Sequence, residues 1–117
     1  MKLTLQAAGG DIVRVRCEGL ITYELDGAQA NPLEELLGMG CYSNIIVVNL
    51  ERATQINSTG VAWLVRCHRY CQEAGGRFVI HSIPPMVDHV LRLLNMPRLL
   101  HMTKDEDAAL SMIAGAN

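Results

Sequence analysis

The chain has 117 residues, half of them hydrophobic and 19% charged, with a formal net charge of −2. That length suits one folding unit over residues 1–117, and the composition excludes a disordered chain. The ten Lys and Arg residues are scattered, so there is no basic run to neutralise a phosphate backbone and no nucleic-acid partner is expected.

Met1-Lys2-Leu3-Thr4-Leu5-Gln6 turns polar before a signal-peptide h-region can form. No later stretch has about eighteen consecutive apolar residues, so a cytoplasmic protein without direct membrane insertion is expected. Leu3, Leu5 and Ala7, then Ile12, Val13, Val15 and Cys17, alternate with polar residues on either side of Gly9-Gly10-Asp11. Period two with a Gly-rich break predicts an antiparallel hairpin. Asn31-Pro32 then opens a helix carrying Leu33, Leu36 and Leu37, with Glu34 and Glu35 at the positive end of its dipole and Gly38 and Gly40 beyond its end.

Ile45-Ile46-Val47-Val48-Asn49-Leu50 is a nearly unbroken β-branched run, the pattern of a central strand covered on both faces. After Asn57-Ser58-Thr59-Gly60, Val61, Leu64, Val65, His68 and either Cys71 or Gln72 recur at helical spacing. Gly75-Gly76 supplies a left-handed cap to that helix. Arg77 to His81 reads as a second buried strand. Ser82-Ile83-Pro84-Pro85 suits the cap and first turn of a helix carrying Val87, Val90, Leu91 and Leu94, stopped by Asn95 and Pro97. Leu99-Leu100-His101 is short enough for an edge strand. Thr103 and Glu106 form a capping box for a last helix burying Leu110 and Ile113. The order β-β-α-β-α-β-α-β-α predicts an α/β domain, with a mostly parallel sheet of about five strands, a hairpin at one edge and about four helices.

Strand, Asn-Ser-Thr-Gly, then helix puts two hydroxyls at the carboxyl end of a central strand, the rim where ligands and partners of open α/β sheets dock. Ser58 and Thr59 either cap the helix or present a hydroxyl whose phosphate the helix dipole tolerates. A phosphoserine adds about −1.5 to −2 charges, enough to dismiss a partner that had buried the neutral group.

Three other chemistries fit poorly. Cys67, His68 and Cys71 share one helix, yet structural zinc needs about four ligands and the sequence has no second cluster. All four cysteines, Cys17, Cys41, Cys67 and Cys71, fall in segments that look buried, so reduced thiols and no metal are expected. Ser58 lacks the Gly-x-Ser-x-Gly setting of a hydrolase, and nothing ties His81, His89 or His101 to it. No phosphate-binding or dinucleotide glycine motif is present, and no cofactor is expected. Trp63 falls on the same helix, where a surface position beside Ser58 would make it an anchor for a partner and a half-buried one would make it packing.

Ile46-Val47-Val48-Asn49-Leu50, Ile56-Asn57-Ser58-Thr59-Gly60-Val61 and Ala74-Gly75-Gly76-Arg77-Phe78-Val79-Ile80 together resemble the STAS domain family of sulfate transporters and anti-sigma factor antagonists. Gly19-Leu20-Ile21-Thr22 and the segment from Val90 to Leu100 resemble further family motifs, and the likeness spans roughly residues 12 to 113. A free-standing chain of this length is similar to bacterial anti-anti-sigma factors. That resemblance implies a non-enzymatic regulator of transcription by partner switching. Ser58, with Thr59 as the alternative, would be phosphorylated by an anti-sigma factor kinase. Asn57, Ser58, Thr59, Gly60, Ala62 and Trp63 would face this partner, Gly60 letting its backbone approach closely. The alternative within the family is an accessory subunit of a transporter or stressosome-like complex that binds without phosphorylation. The family pattern has Asp where this chain has Asn57, which keeps the hydrogen-bonding shape and loses the charge.

Overall fold

The alternating apolar residues near the N-terminus form β1 (Lys2–Gly9) and β2 (Ile12–Ile21), an antiparallel hairpin that turns at Gly10 with φ +60°. A computed structural model describes residues 1–23 and 31–115. Beyond the hairpin, β3 (Ile45–Ile56), β4 (Arg77–His81) and β5 (His101–Thr103) add in parallel, giving one five-stranded sheet in the order β1-β2-β3-β4-β5. The helices are α1 (Pro32–Leu37), α2 (Ser58–Ala74), α3 (Pro85–Leu93) and α4 (Glu106–Ala114). The mixed sheet, its edge hairpin and the alternation of strand and helix are as the sequence predicts.

Register decides which side chains meet. Val15 lies opposite Val48, Ile46 opposite Phe78 and Val48 opposite Ile80, and these residues pack against Leu64, Cys67 and Cys71 of α2 and Val87 and Leu91 of α3. The other face of β3 and β4 presents Val47 and Val79 to Ala109, Met112 and Ile113 of α4. Covering on both faces accounts for the unbroken β-branched run at the start of β3.

Several boundaries differ from expectation for local reasons. β3 continues six residues past Leu50 to Ile56, pairing there with β2 alone, Glu18 against Arg52 and Ile21 against Ile56. The ladder outlasts the burial, and this extension carries the chain out to Asn57. The last strand is His101–Thr103, because Met96–Arg98 forms a 3₁₀ turn and Leu100 is buried. The helix after it is capped by Asp105, which accepts from the Ala108 N–H at 2.8 Å. Thr103 instead donates to the Ile80 carbonyl at 3.3 Å. Ser82 does not cap α3: it sits at φ +54° with its hydroxyl on His81 Nδ1 at 2.9 Å, and α3 begins at Pro85. Leu94 is half exposed at the end of α3, and Ala109 holds the deepest place on α4, with Leu110 and Ile113 partly buried. A 3₁₀ turn over Met39–Ser43, unpredicted, seats Cys41 and Tyr42 in the core. Gly75 caps α2 at φ +85°, as the sequence predicts.

Candidate functional site

The rim site is built where β3 hands over to α2. Asn57 is extended (φ −112°, ψ −179°) and is itself the N-cap: its Oδ1 accepts from the Gly60 N–H at 2.9 Å. Thr59 donates its hydroxyl to the same oxygen at 2.8 Å. The Asn57 amide nitrogen donates to Thr22 Oγ1 at 2.9 Å, and the hydroxyls of Thr22 and Thr59 lie 2.9 Å apart. Only one proton arrangement satisfies all three contacts. Asn57 Nδ2 gives to Thr22, Thr22 gives to Thr59 and Thr59 gives to Asn57 Oδ1, a closed ring. The Tyr23 N–H also points at Thr59 Oγ1, at 3.4 Å, and the Asn57 N–H donates to the Ile21 carbonyl at 3.3 Å. The end of β2 is thereby tied to the start of α2.

Ser58 and Thr59 therefore have different roles. Thr59 is half-buried and its oxygen is committed inside the ring. Ser58 is the first helical residue, exposed, with no hydrogen bond from its hydroxyl among the described residues. Neither of the two is the cap, because the residue before them takes that place.

Gly60 is buried, and a Cβ there would overlap the Ile21 carbonyl and approach Ile56 Cγ1 at 3.0 Å. The close approach it permits is therefore internal, helix against β2, and not the approach of a partner's backbone. Trp63 likewise departs from the expected surface anchor. It is 0% exposed, its indole N–H donating to Asn31 Oδ1 at 3.0 Å. The helical turn from Ser58 sends Ala62 outward and Trp63 toward the core, a difference that the apolar spacing alone does not resolve. Asn57, Ser58 and Ala62 are exposed on one continuous rim.

Thr22 is the site residue that residue-level reading missed. Its only sequence signal was its place in Gly19-Leu20-Ile21-Thr22, whose distance of 35 residues from Asn57 is closed by the parallel pairing of β2 with β3.

The other chemical candidates are packed away. Burial pushes the Cys71 thiol up to about 12 and the Cys67 thiol higher, so both are un-ionised at neutral pH. The His68 ring packs edge-on against His101 with centroids 5.3 Å apart, its Nδ1 buried without a partner among the described residues. Burial lowers its pKa, as it does those of His81 and His101. Among the described residues, no histidine bonds to Ser58, no set of three or more side chains is arranged to hold a metal, and no helix is long and apolar enough to cross a membrane.

Comparison with known proteins places this geometry. A family model described as STAS domain matches residues 11–109. A crystal structure of a candidate anti-sigma factor antagonist from Thermotoga maritima superposes with a TM-score of 0.77 at 19% identity, covering 92% of each chain. The anti-sigma factor antagonist SpoIIAA in its unphosphorylated form superposes at 0.67 with 17% identity, covering 99% of each. RsbS of Moorella thermoacetica, carrying a Ser-to-Glu substitution, superposes at 0.65 with 19% identity over 90% of this chain and 91% of that one. Among curated proteins there is no significant sequence match.

Proposed function

The chain belongs to the STAS domain family, and from that premise we propose that it is an anti-sigma factor antagonist whose partner contact is centred on Ser58. In this reading a cytoplasmic anti-sigma factor with serine kinase activity binds the rim formed by Asn57, Ser58 and Ala62. It then transfers the γ-phosphoryl group of ATP to Ser58 Oγ: the new P–O bond replaces the bond to ADP, and the serine proton passes to a base of the kinase. The phosphate ends the contact, and the anti-sigma factor returns to its sigma factor. The chain itself is a binding domain and not an enzyme.

The observation that carries this reading is the contrast between neighbouring hydroxyls. Thr59 is held by Thr22, Asn57 and the Tyr23 N–H, whereas Ser58 is exposed and uncommitted. A phosphate added at Ser58 meets the amino end of α2, where the dipole favours negative charge, and breaks no bond of the ring. The domain then keeps its fold while its surface changes.

The decisive experiment mixes the protein with a candidate anti-sigma factor kinase and ATP, and reads the product by mass spectrometry. One phosphate on Ser58, and weakened binding by Ser58→Asp, are expected. Unmodified protein, or Ser58→Asp binding as tightly as wild type, would refute the switch. Asn57 favours a second reading, an accessory subunit that binds without phosphorylation, since it removes the charge that the family pattern places beside the serine. Full function of Ser58→Ala in cells, with co-purification of a transporter ATPase, would establish that reading instead.

A further inference from the structure

The outward face of α2 continues from Ser58 through Ala62, Val65, Arg66 and Arg69, positions that recur at helical spacing opposite the buried Leu64, Cys67 and Cys71. Ala62, Val65, Arg66, Arg69, Tyr70 and Glu73 line a groove of about 510 Å³ along it. Arg66 and Arg69 form no ion pair among the described residues, unlike Arg14, Arg16 and Arg92. No acidic residue occupies the first turn of α2, and its one carboxylate, Glu73, comes near the far end. This face therefore holds two guanidiniums without an ion-pair contact, the positive end of a helix dipole and a single carboxylate, Glu73, one turn beyond Arg69. It does so on a chain whose formal net charge is −2.

We propose that this face receives an acidic segment of the partner protein, its carboxylates on Arg66 and Arg69, and that Asn57 keeps the Ser58 end neutral so that phosphorylation cancels most of the positive charge that holds the contact. This inference rests on the reading of Ser58 as the switch and names the partner chemistry that reading lacks. Ser58 and Arg66 are eight residues apart, about 12 Å along the helix, close to the Debye length of about 10 Å at 0.1 M salt. A carboxylate seated on Arg66 therefore feels, at about 0.1 M salt, a screened fraction of the charge of about −1.5 to −2 that a phosphate puts at Ser58, and more of it at low salt. Aspartate at position 57 would put a permanent negative charge at that end and blunt the contrast. The neutral amide confines the negative charge to the phosphorylated state. Guanidiniums suit such a contact because their fork matches a carboxylate, and steering by surface charge acts chiefly on the association rate and its salt dependence.

The test measures binding of the anti-sigma factor to wild type, Arg66→Gln with Arg69→Gln, the same pair changed to Lys, Asn57→Asp and Ser58→Asp, each at about 0.05 and 0.5 M salt. Thermal melts verify that every variant is folded. The glutamine pair is expected to bind about three- to thirtyfold more weakly at low salt, to lose most of that deficit at high salt, and to be largely rescued by lysine. Asn57→Asp is expected to weaken the unmodified complex severalfold. If wild type binds and Ser58→Asp releases it, yet the glutamine pair matches wild type at both salts, the acidic segment is refuted and the Ser58 switch stands. If wild type neither binds nor is phosphorylated, both readings fall.

Discussion

The indole nitrogen of Trp63 donates to Asn31 Oδ1 at 3.0 Å, and the same oxygen accepts the Leu33 N–H at 2.9 Å. One buried side chain thus caps α1 and anchors the middle of α2. Asn31→Ala should lose the cap, worth about 1 kcal/mol, and strand the indole N–H at a further cost of about 1–3 kcal/mol. Urea unfolding followed by far-UV circular dichroism measures it, a signal that survives removal of Trp63, the only tryptophan. Trp63→Phe should cost less than Asn31→Ala, because Asn31 keeps its bond to Leu33.

Gly60→Ala tests the helix-to-strand approach directly. The added methyl overlaps the Ile21 carbonyl, a backbone atom of β2 that cannot rotate away. Overpacking of this kind costs about 1–3 kcal/mol or more, so a fall in Tm of about 4 °C or more is expected. A melt indistinguishable from wild type would show that α2 shifts freely at its start, and the ring of Thr22, Asn57 and Thr59 would not survive that movement.

Much of this was readable in the sequence because burial and periodicity coincide there. The β-branched run of β3 and the αL cap at Gly75 follow from chain-local physics. The exposed half of β3 was not readable, since Glu51, Arg52, Thr54 and Gln55 carry no apolar pattern and are held in the strand by pairing with β2. At the site, Asn57 and Ser58 were visible as a strand-to-helix junction. Their division of labour was not, because it depends on Thr22, which arrives from another strand. The full burial of Trp63 is unreadable for a related reason: apolar spacing marks which helix is amphipathic, but the burial of one aromatic depends on Asn31 waiting opposite it.

Thr59→Val and Ser58→Ala should separate stability from switching. Valine fills the space of threonine but removes the oxygen that meets Thr22, Asn57 and Tyr23. A loss of about 1 kcal/mol is expected, with phosphate still entering at Ser58 in the kinase assay. Ser58→Ala removes an uncommitted hydroxyl and should change stability by no more than about 0.5 kcal/mol while abolishing phosphate uptake. Phosphate on Thr59 of the Ser58→Ala protein would contradict the division of roles.

Acid should weaken the fold through the desolvated histidines His68, His81 and His101. Desolvation lowers the folded-state pKa of His68, with the His101 charge adding to the effect, and lowers that of His101, with Arg77 adding. For His81 desolvation outweighs the opposing pull of Glu106, Asp105 and Glu51. An unfolded histidine titrates near about 6.5, so above that pH both states are neutral and these residues add no slope. As pH falls through about 6.5 the unfolded chain takes up protons first, and stability drops until the folded-state values are passed. Urea midpoints at pH 7.5, 6.5 and 5.5 should therefore decrease in that order. His101→Gln, which leaves His68 without its charged neighbour, should shallow the slope. Equal midpoints across the range would mean that the folded protein protonates these rings as readily as water-exposed ones, which the Nδ1 of His68, buried without a partner among the described residues, argues against.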